Sequence, residues 1–592
     1  METNNLDLGY TPSPYQEKIF DFILHGNGNA VISAKAGSGK TFTCVESMKL
    51  IKPTKKIMFI AFNKSIAEEL SKKLKDYPNV DVKTIHSLGF AILRNNIEGE
   101  VELDEYKYRG YLKEHIQKLS TLEGKKISKS EYSNYIDRIT ELINFARYNL
   151  AQSPKEVAQL AVKYDIPIAF DECEVVIKML EWGKTELNRI DFTDMVWLPV
   201  ECSMSTKAFQ KDFIYFDEAQ DASLMSIQLF LKCFKRGTRF ISVGDEKQCI
   251  NTFAGSSEEA FEYMKNYPKT TLFELPICYR CPTKMIELAQ TLVPDIYPKE
   301  DAIDGEIIPK CYTSLLQSGD MVLCRSRAPL VTVYTKLLKK GVPCYIKGQE
   351  FGTNLKKLLE NIDCEELNIS LKEDGVFVRL YDNLFDQRNK LMLNGGMDYQ
   401  DATLSPYIAN IYDMIKTLEI LGANYATKSE LIAHIDEMFD DTKDGVILST
   451  IHKAKGLEAD NVYILCNSSM PSKLAKKKWE IDTEFNLMYV AYTRAKKKLG
   501  FISENEIKPY GIAQSADTIL NEMGIIENLV CRVLGKEPME QKESVELARY
   551  NLDNGITQIE DGHQDDNCIS IEEISNEKEN DELLNELDKL LN

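Results

Sequence analysis

The sequence has no uninterrupted apolar run long enough to span a bilayer, and its opening, METNNLDLGY, lacks the apolar core of a secretory leader. Both absences predict a soluble protein kept inside a cell, in cytoplasm, nucleoid or nucleus, with no membrane partner. A regular cysteine framework is also missing. Fourteen cysteines are scattered, mostly within apolar runs, which predicts reduced and mainly buried thiols in place of a disulfide scaffold. Nor is there an excess of positive charge. The formal net charge is −20, and twelve Asp/Glu against two Lys between Gly555 and Asn592 give −10, so half of the excess sits in that tail. The remainder holds two basic runs, Lys476-Lys477-Lys478 and Lys496-Lys497-Lys498. A local basic track is compatible with an acidic body, because screening limits a charge's reach to about 8–10 Å.

What is present is a large chain, 592 residues with 43% hydrophobic content, enough for two to four domains with proper cores. NAVISA (29–34), KIMFIAF (56–62) and NVDVKTI (79–85) read as short buried strands, each followed by a helical stretch, as a parallel sheet requires. From about 100 to 183 long charged helical patterns replace them. Strand signals resume at FIYF (213–216), RFISV (239–243) and TLFEL (271–275). A second alternating region starts at MVLC (321–324) and VPCYI (342–346), breaks from 351 to 444, and returns with GVILSTIH and NVYILC. The second half repeats the logic of the first. Beyond Ser503 the pattern is helical, then acidic and poor in aromatics, which predicts disorder near 554–580. In DELLNELDKLL, Leu583, Leu584, Leu587, Leu590 and Leu591 share one helical face, suited either to packing on the protein itself or to docking a partner.

The string AKAGSGKT (Ala34, Lys35, Ala36, Gly37, Ser38, Gly39, Lys40, Thr41) follows a strand and opens a helix. Its glycines let successive N–H groups turn toward phosphates, Lys40 reaches the β/γ oxygens, and the Thr41 hydroxyl ligates Mg²⁺. DEAQD (217–221) stands at the end of FIYF. Asp217 there is placed to hold the magnesium, and Glu218 to polarise an attacking water as general base. Together the two motifs predict an ATPase that uses ATP and Mg²⁺.

TIHS (84–87), VGDEKQCINTFAG (243–255), LPICYR (275–280), STIHKAKGLE (449–458) and LMYVAYTRA (487–495) resemble, in order, the signature set of UvrD/Rep-like superfamily 1 helicases. FIAFNKSIA (59–67) is most similar to the branch of the F-box DNA helicases, although no F-box is present. The resemblance implies an α/β fold of two RecA-like P-loop domains, each carrying an inserted, mainly helical or mixed subdomain. Core 1A would take 1–98 and 186–274 around a helical 1B at 99–185. Core 2A would take 275–350 and 445–505 around a small 2B at 351–444, and 506–592 would be a helical, then acidic tail.

It also implies roles. Gln16 would read the adenine edge, Tyr279 would stack on the base, and Glu458 would accept from the ribose. Gln248 would sense the γ-phosphate, and Arg280 and Arg494 would reach it from the second core when the cores close, which couples hydrolysis to motion. Asn63, Lys64, Thr84, His86, Phe253, Thr450 and His452 would line a track for single-stranded DNA, with Phe253 stacking on bases of any identity. Where the family commonly has a Tyr and an Arg after Gln248, this chain has Asn251 and Ala254; where it often has paired arginines before LMYVAYTRA, Phe485 and Asn486 stand. Cys278 and Cys281 bracket Tyr279-Arg280, and no second pair at zinc spacing accompanies them, so they read as buried thiols or a redox pair. Lys496-Lys497-Lys498 reads as a solvated helix face, with nucleic-acid contact as the second reading. The expected function is an ATP-dependent helicase or translocase on single-stranded and partial duplex DNA, moving 3′ to 5′, in replication, recombination or repair. Alternatives are a translocase that displaces proteins with little unwinding, and an ATP-switched platform whose acidic tail recruits a replication or repair protein. A nuclease fusion would need a GxxxD…DxK-like cluster, which the tail lacks.

Overall fold

The computed structural model describes residues 10–538 except 62, 115–128, 251–257, 396, 424, 440–443, 474, 476, 508–515 and 537. Phe253, Asn251, Ala254, the acidic tail and the terminal leucines lie outside the described residues.

The apolar runs of the first half become β1 (Asn29–Ala34), β2 (Ile57–Ala61) and β3 (Val80–Thr84). A two-residue pair follows, β4 (Glu102–Leu103) and β5 (Arg189–Ile190), then β6 (Phe213–Phe216), β7 (Arg239–Gly244) and β8 (Thr270–Leu275). Six of these form one parallel sheet in the order β3-β2-β6-β7-β1-β8. The four inner strands, β2, β6, β7 and β1, are buried almost throughout, which is what runs such as IMFIA and FIYF encode, since helices must cover both sides of a parallel sheet. The second half supplies β9 (Ile277–Cys278), β10 (Tyr297–Pro298), β11 (Glu306–Cys311), β12 (Met321–Cys324), β13 (Cys344–Ile346), β14 (Val446–Thr450), β15 (Ala459–Leu465) and β16 (Ala495–Ile502). All but β9 and β10 build a second parallel sheet, ordered β11-β16-β15-β12-β14-β13. The chain is thus a two-lobed α/β protein, consistent with two RecA-like domains.

Between β3 and β6 stand the helices Lys129–Tyr148, Pro154–Lys163 and Phe170–Thr185, with β4 and β5 pairing across the neck of the insertion. Ile136, Leu142 and Val176 share one apolar cluster with Met58 and Ile60 of the sheet, so the insertion is fused to the first lobe. Between β13 and β14 lie the helices Gln349–Glu360, Val376–Gly395, Tyr399–Leu404, Pro406–Gly422 and Lys428–Met438. The helix Ala516–Leu534, expected in the tail, packs into this second insertion instead. Arg388 and Glu527 form a buried ion pair there at 2.5 Å, and Tyr399 Oη donates to the same carboxylate.

The lysine run 496–498 corrects the helical reading. It lies in β16, between β11 and β15, where neighbouring strands carry carboxylates. Lys496 pairs with Glu458, Lys497 with Asp460 at 2.8 Å and Lys498 with Glu306 at 3.1 Å. Lys477 of the other run reaches Asp165 at 2.9 Å and the carbonyl of Val162, joining the second lobe to the first insertion. Each of these four lysines is thus paired with a carboxylate of the protein.

Candidate nucleotide and nucleic-acid sites

Parallel sheets expose their functional loops at the carboxyl ends of the strands. β1 ends in the phosphate loop, β6 in Asp217-Glu218 and β7 in Asp245, so adjacent strands deliver all three to one place. Gly37 and Gly39 have φ of 67° and 77°, which side chains other than glycine rarely adopt. A Cβ on Gly37 would also meet Arg280 Cβ and Cys278 Sγ, each at 2.8 Å. The loop therefore presses directly on the segment 278–280, and Tyr279 N–H donates to Gly37 O at 2.9 Å. Ala34 and Ala36 are fully buried, and Ser38 Oγ is buried without a protein partner among the described residues.

Lys40 Nζ lies 3.0 Å from Glu218 Oε2, and Thr41 Oγ1 donates to Asp217 Oδ2 at 2.7 Å. Burial raises the Asp217 carboxyl to about 6, with the neighbouring Glu218 charge adding to the shift. Burial acts on Glu218 in the same direction, but Lys40 and Lys455 outweigh it and hold that group at about 2. Two adjacent carboxylates are thus driven apart, and the fully ionised one is the candidate base. Glu218 also sits at φ 52°, a strained conformation for a non-glycine residue. Gln220 Nε2 fixes its Oε2 at 2.6 Å.

Gln248 Nε2 donates to Asp245 Oδ2 at 2.6 Å, and Gln248 Oε1 accepts from Arg494 Nη2 at 3.4 Å. Arg494 comes from the second lobe and is fully buried. Its other partners are the carbonyls of Val490 and Leu457 and the Thr493 hydroxyl, so no carboxylate neutralises it among the described residues. Burial, and then the neighbouring Arg280, push its guanidinium down to about 10. A cation held this way is poised for an anion. Arg280 pairs with Glu458 at 2.6 Å while its backbone lies against Gly37. Glu458, expected at the ribose, is engaged here by Arg280 and Lys496.

Gln16 is buried and caps its own helix. Its Oε1 accepts from Ser13 N–H and its Nε2 donates to Thr43 Oγ1. Lys35 pairs with Asp295 of the second lobe at 2.7 Å. Tyr279 is 46% exposed, and so is Phe42 at 47%, two residues past Lys40, with Tyr10 edge-on against it.

The remaining expected residues cluster at other strand ends. Asn63 and Thr84 follow β2 and close β3, and both are helix N-caps, accepting from Ile66 N–H and Ser87 N–H. Lys64 and His86 are exposed in the first turns of those helices. Thr450 ends β14 and caps Lys453 N–H at 3.4 Å. His452 is half-buried and held neutral, its pKa lowered well below the usual value by burial and then by Arg325, Arg327 and Lys453.

Several contributors were missed in the sequence. Lys455 of the second lobe bonds Asp221 Oδ2 at 2.5 Å and Gln248 O at 2.6 Å, both in the first. Tyr489 Oη accepts from Ala36 N–H of the phosphate loop at 2.9 Å. Asn486, where the family often has an arginine, donates to Cys249 O at 3.0 Å. All three lie inside or beside quoted motifs, but only the fold shows that they cross between lobes.

A phosphate loop, a hydroxyl–carboxylate pair beside it and two arginines reaching in from a second lobe are the arrangement of a P-loop nucleotide hydrolase. Residues 15–269 match the family model of the UvrD/REP helicase N-terminal domain, and residues 350–506 match that of the UvrD-like helicase C-terminal domain. The chain belongs to the UvrD/Rep-like family and is an ATP-hydrolysing DNA helicase. Similar proteins include a probable DNA helicase II homolog of Mycoplasma pneumoniae, 23% identical over 81% of this chain and 82% of the relative. F-box DNA helicase protein 1 of Schizosaccharomyces pombe is 23% identical over 86% of this chain and 59% of that protein. The ATP-dependent DNA helicase Rep of Escherichia coli is 20% identical over 84% of this chain and 92% of the relative.

Proposed function

We propose that the chain walks along single-stranded DNA in the 3′ to 5′ direction and separates duplex ahead of it, serving replication, recombination or repair. The observation that carries this reading is Arg494, a buried guanidinium with no carboxylate partner among the described residues that reaches Gln248 across the lobe boundary. An arriving γ-phosphate supplies the missing anion, so ATP draws the lobes together, and its hydrolysis releases them. Lys40, Thr41 and Asp217 fit Mg²⁺-ATP. The metal would be held by the Thr41 hydroxyl, by Asp217 and by the nucleotide's own oxygens, and when bound it neutralises charge on the phosphates. Glu218 takes the proton of the attacking water.

The strand would run over the carboxyl ends of β2, β3 and β14, touching Asn63, Lys64, Thr84, His86, Thr450 and His452, with Phe253 as the stacking residue. Helix N-termini at residues 64 and 85 favour phosphates there. A replication or repair protein is the partner proposed for the acidic tail.

Strand displacement on partial duplexes tests the reading. With ATP and Mg²⁺, a duplex bearing a 3′ single-stranded tail is expected to be unwound, and one bearing a 5′ tail to remain paired. Unwinding of the 5′-tailed duplex alone overturns the direction. Displacement of a bound protein from single strands, without unwinding of either duplex, would favour the translocase reading.

A further inference from the structure

Cys278 and Cys281 bracket Tyr279-Arg280, the segment that faces the phosphate loop. Cys278 closes β9, Cys281 stands just before Pro282 and the helix Thr283–Gln290, and both are buried. Cys281 N–H donates to Cys278 Sγ at 3.4 Å, and the two thiols hydrogen-bond each other. Cys281 Sγ also lies 3.4 Å from Thr493 O, so its single S–H has two acceptors to turn between, Cys278 Sγ and this carbonyl, which receives Arg280 Nη1 at the same distance and directly precedes Arg494. Cys278 Sγ lies against Gly37. One pair of sulfurs therefore touches the phosphate loop and the common anchor of both arginines.

We infer that Cys278 and Cys281 are a redox-modification site, joined reversibly into a disulfide by a hydroperoxide, and that this bond arrests ATP hydrolysis. The inference rests on the ATP-hydrolysing reading of the same cleft. The hydrogen bond with Cys281, and then the backbone N–H groups of Cys281 and Arg280, lower the Cys278 thiol against the effect of burial, which favours Cys278 as the attacking thiolate of the pair. The thiolate attacks one peroxide oxygen, the O–O bond breaks, and the departing alkoxide or hydroxide takes a proton, leaving a sulfenic acid on Cys278. The Cys281 sulfur then attacks the Cys278 sulfur and expels hydroxide, which leaves as water with the Cys281 proton. Two thiols lose two electrons, and the hydroperoxide becomes an alcohol (or water) plus water.

Access comes from the seam between lobes. The cysteines belong to an apolar cluster with Ala36 and Ile250 from the first lobe and Met285, Ile451 and Tyr489 from the second. Parting of that seam admits peroxide, and nucleotide-driven closure shuts it out. Once bonded, the Cys281 sulfur no longer donates to Thr493 O, and the Tyr279-Arg280 loop is pinned in a tight ring beside Gly37. Arginine placement is lost with it.

The test uses the full reduced chain and hydrogen peroxide, with free thiols alkylated afterwards and peptides mapped by mass. ATPase is read in parallel, and each protein is referred to its own rate before oxidation. A 278–281 linked peptide is expected to accumulate as activity falls about tenfold or more, the scale of losing an arginine contact to the phosphoryl group, and dithiothreitol is expected to restore both. Mg²⁺ with a non-hydrolysable ATP analogue is expected to slow the linkage. Cys278→Ser/Cys281→Ser is expected to keep its starting rate under the same peroxide. Absence of the linked peptide, full activity in the linked protein, or equal loss in the double variant overturns the inference. Mapping reads the bond whether or not the chain hydrolyses ATP, so a failed ATPase reading and a failed disulfide are told apart.

Discussion

Glu218→Gln is expected to lower ATP turnover by about 10²–10⁴-fold, the usual contribution of a positioned general base, while nucleotide still binds. The amide keeps the shape of the side chain and its bond from Gln220, but it has no basic lone pair comparable to the carboxylate's. Lys40 and Lys455 hold Glu218 at about 2, which keeps it ionised throughout the neutral range. The loss should therefore not recover on raising the pH from 6 to 9. Steady-state phosphate release, beside binding of a fluorescent ATP analogue, measures the two effects separately. Near-normal turnover in a folded Glu218→Gln protein would remove the residue from the role of base.

Arg494→Ala carries the second large effect. The guanidinium crosses from the second lobe to Gln248 and is pushed down to about 10 by burial and by Arg280, so the folded protein carries an electrostatic cost that a phosphate relieves. Its removal is expected to cost about 10³-fold or more in turnover, within the range for an arginine that stabilises a transferring phosphoryl group. Alanine leaves a cavity and gives up the guanidinium bonds to Val490 O, Leu457 O and Gln248, so thermal stability is expected to fall, and ATP should stabilise the variant less than the parent. Arg494→Lys keeps the charge but loses the planar fork, and should recover only part of the rate. Calorimetric melting with and without Mg²⁺-ATP, paired with turnover, checks both halves. Full nucleotide-induced stabilisation in Arg494→Ala would show that the anion does not meet this arginine.

Much of this was legible from residue order. All ten strand runs read from the sequence form strands with ends shifted by no more than two residues, because a buried parallel strand needs a short continuous apolar run and little else. The meeting of Lys40, Thr41, Asp217 and Glu218 at adjacent strand ends was legible because phosphate and magnesium chemistry demands particular groups at fixed spacing beside a strand end. β16 was not, since AKKKLGFI hides an inner strand behind three lysines whose partners, Glu458, Asp460 and Glu306, lie just before or within the neighbouring strands β15 and β11. Lys455, Tyr489 and Asn486 were missed for the same reason. Each looks like an ordinary helix or loop residue until the second lobe is placed against the first. The helix Ala516–Leu534 read as tail because nothing local tells that Glu527 will meet Arg388, 139 residues away. The bonds that fix the Gln16 amide, from Ser13 N–H and to Thr43 Oγ1, could not be read from its motif position.

ATP turnover of the intact protein, measured with and without single-stranded DNA as salt is raised, addresses the coupled two-lobe motor most directly. The rate is expected to rise severalfold or more on adding the strand. The DNA concentration for half-maximal stimulation should climb with salt at a log–log slope of about 0.7 per phosphate neutralised. A turnover rate indifferent to single-stranded DNA at every salt concentration would contradict the account.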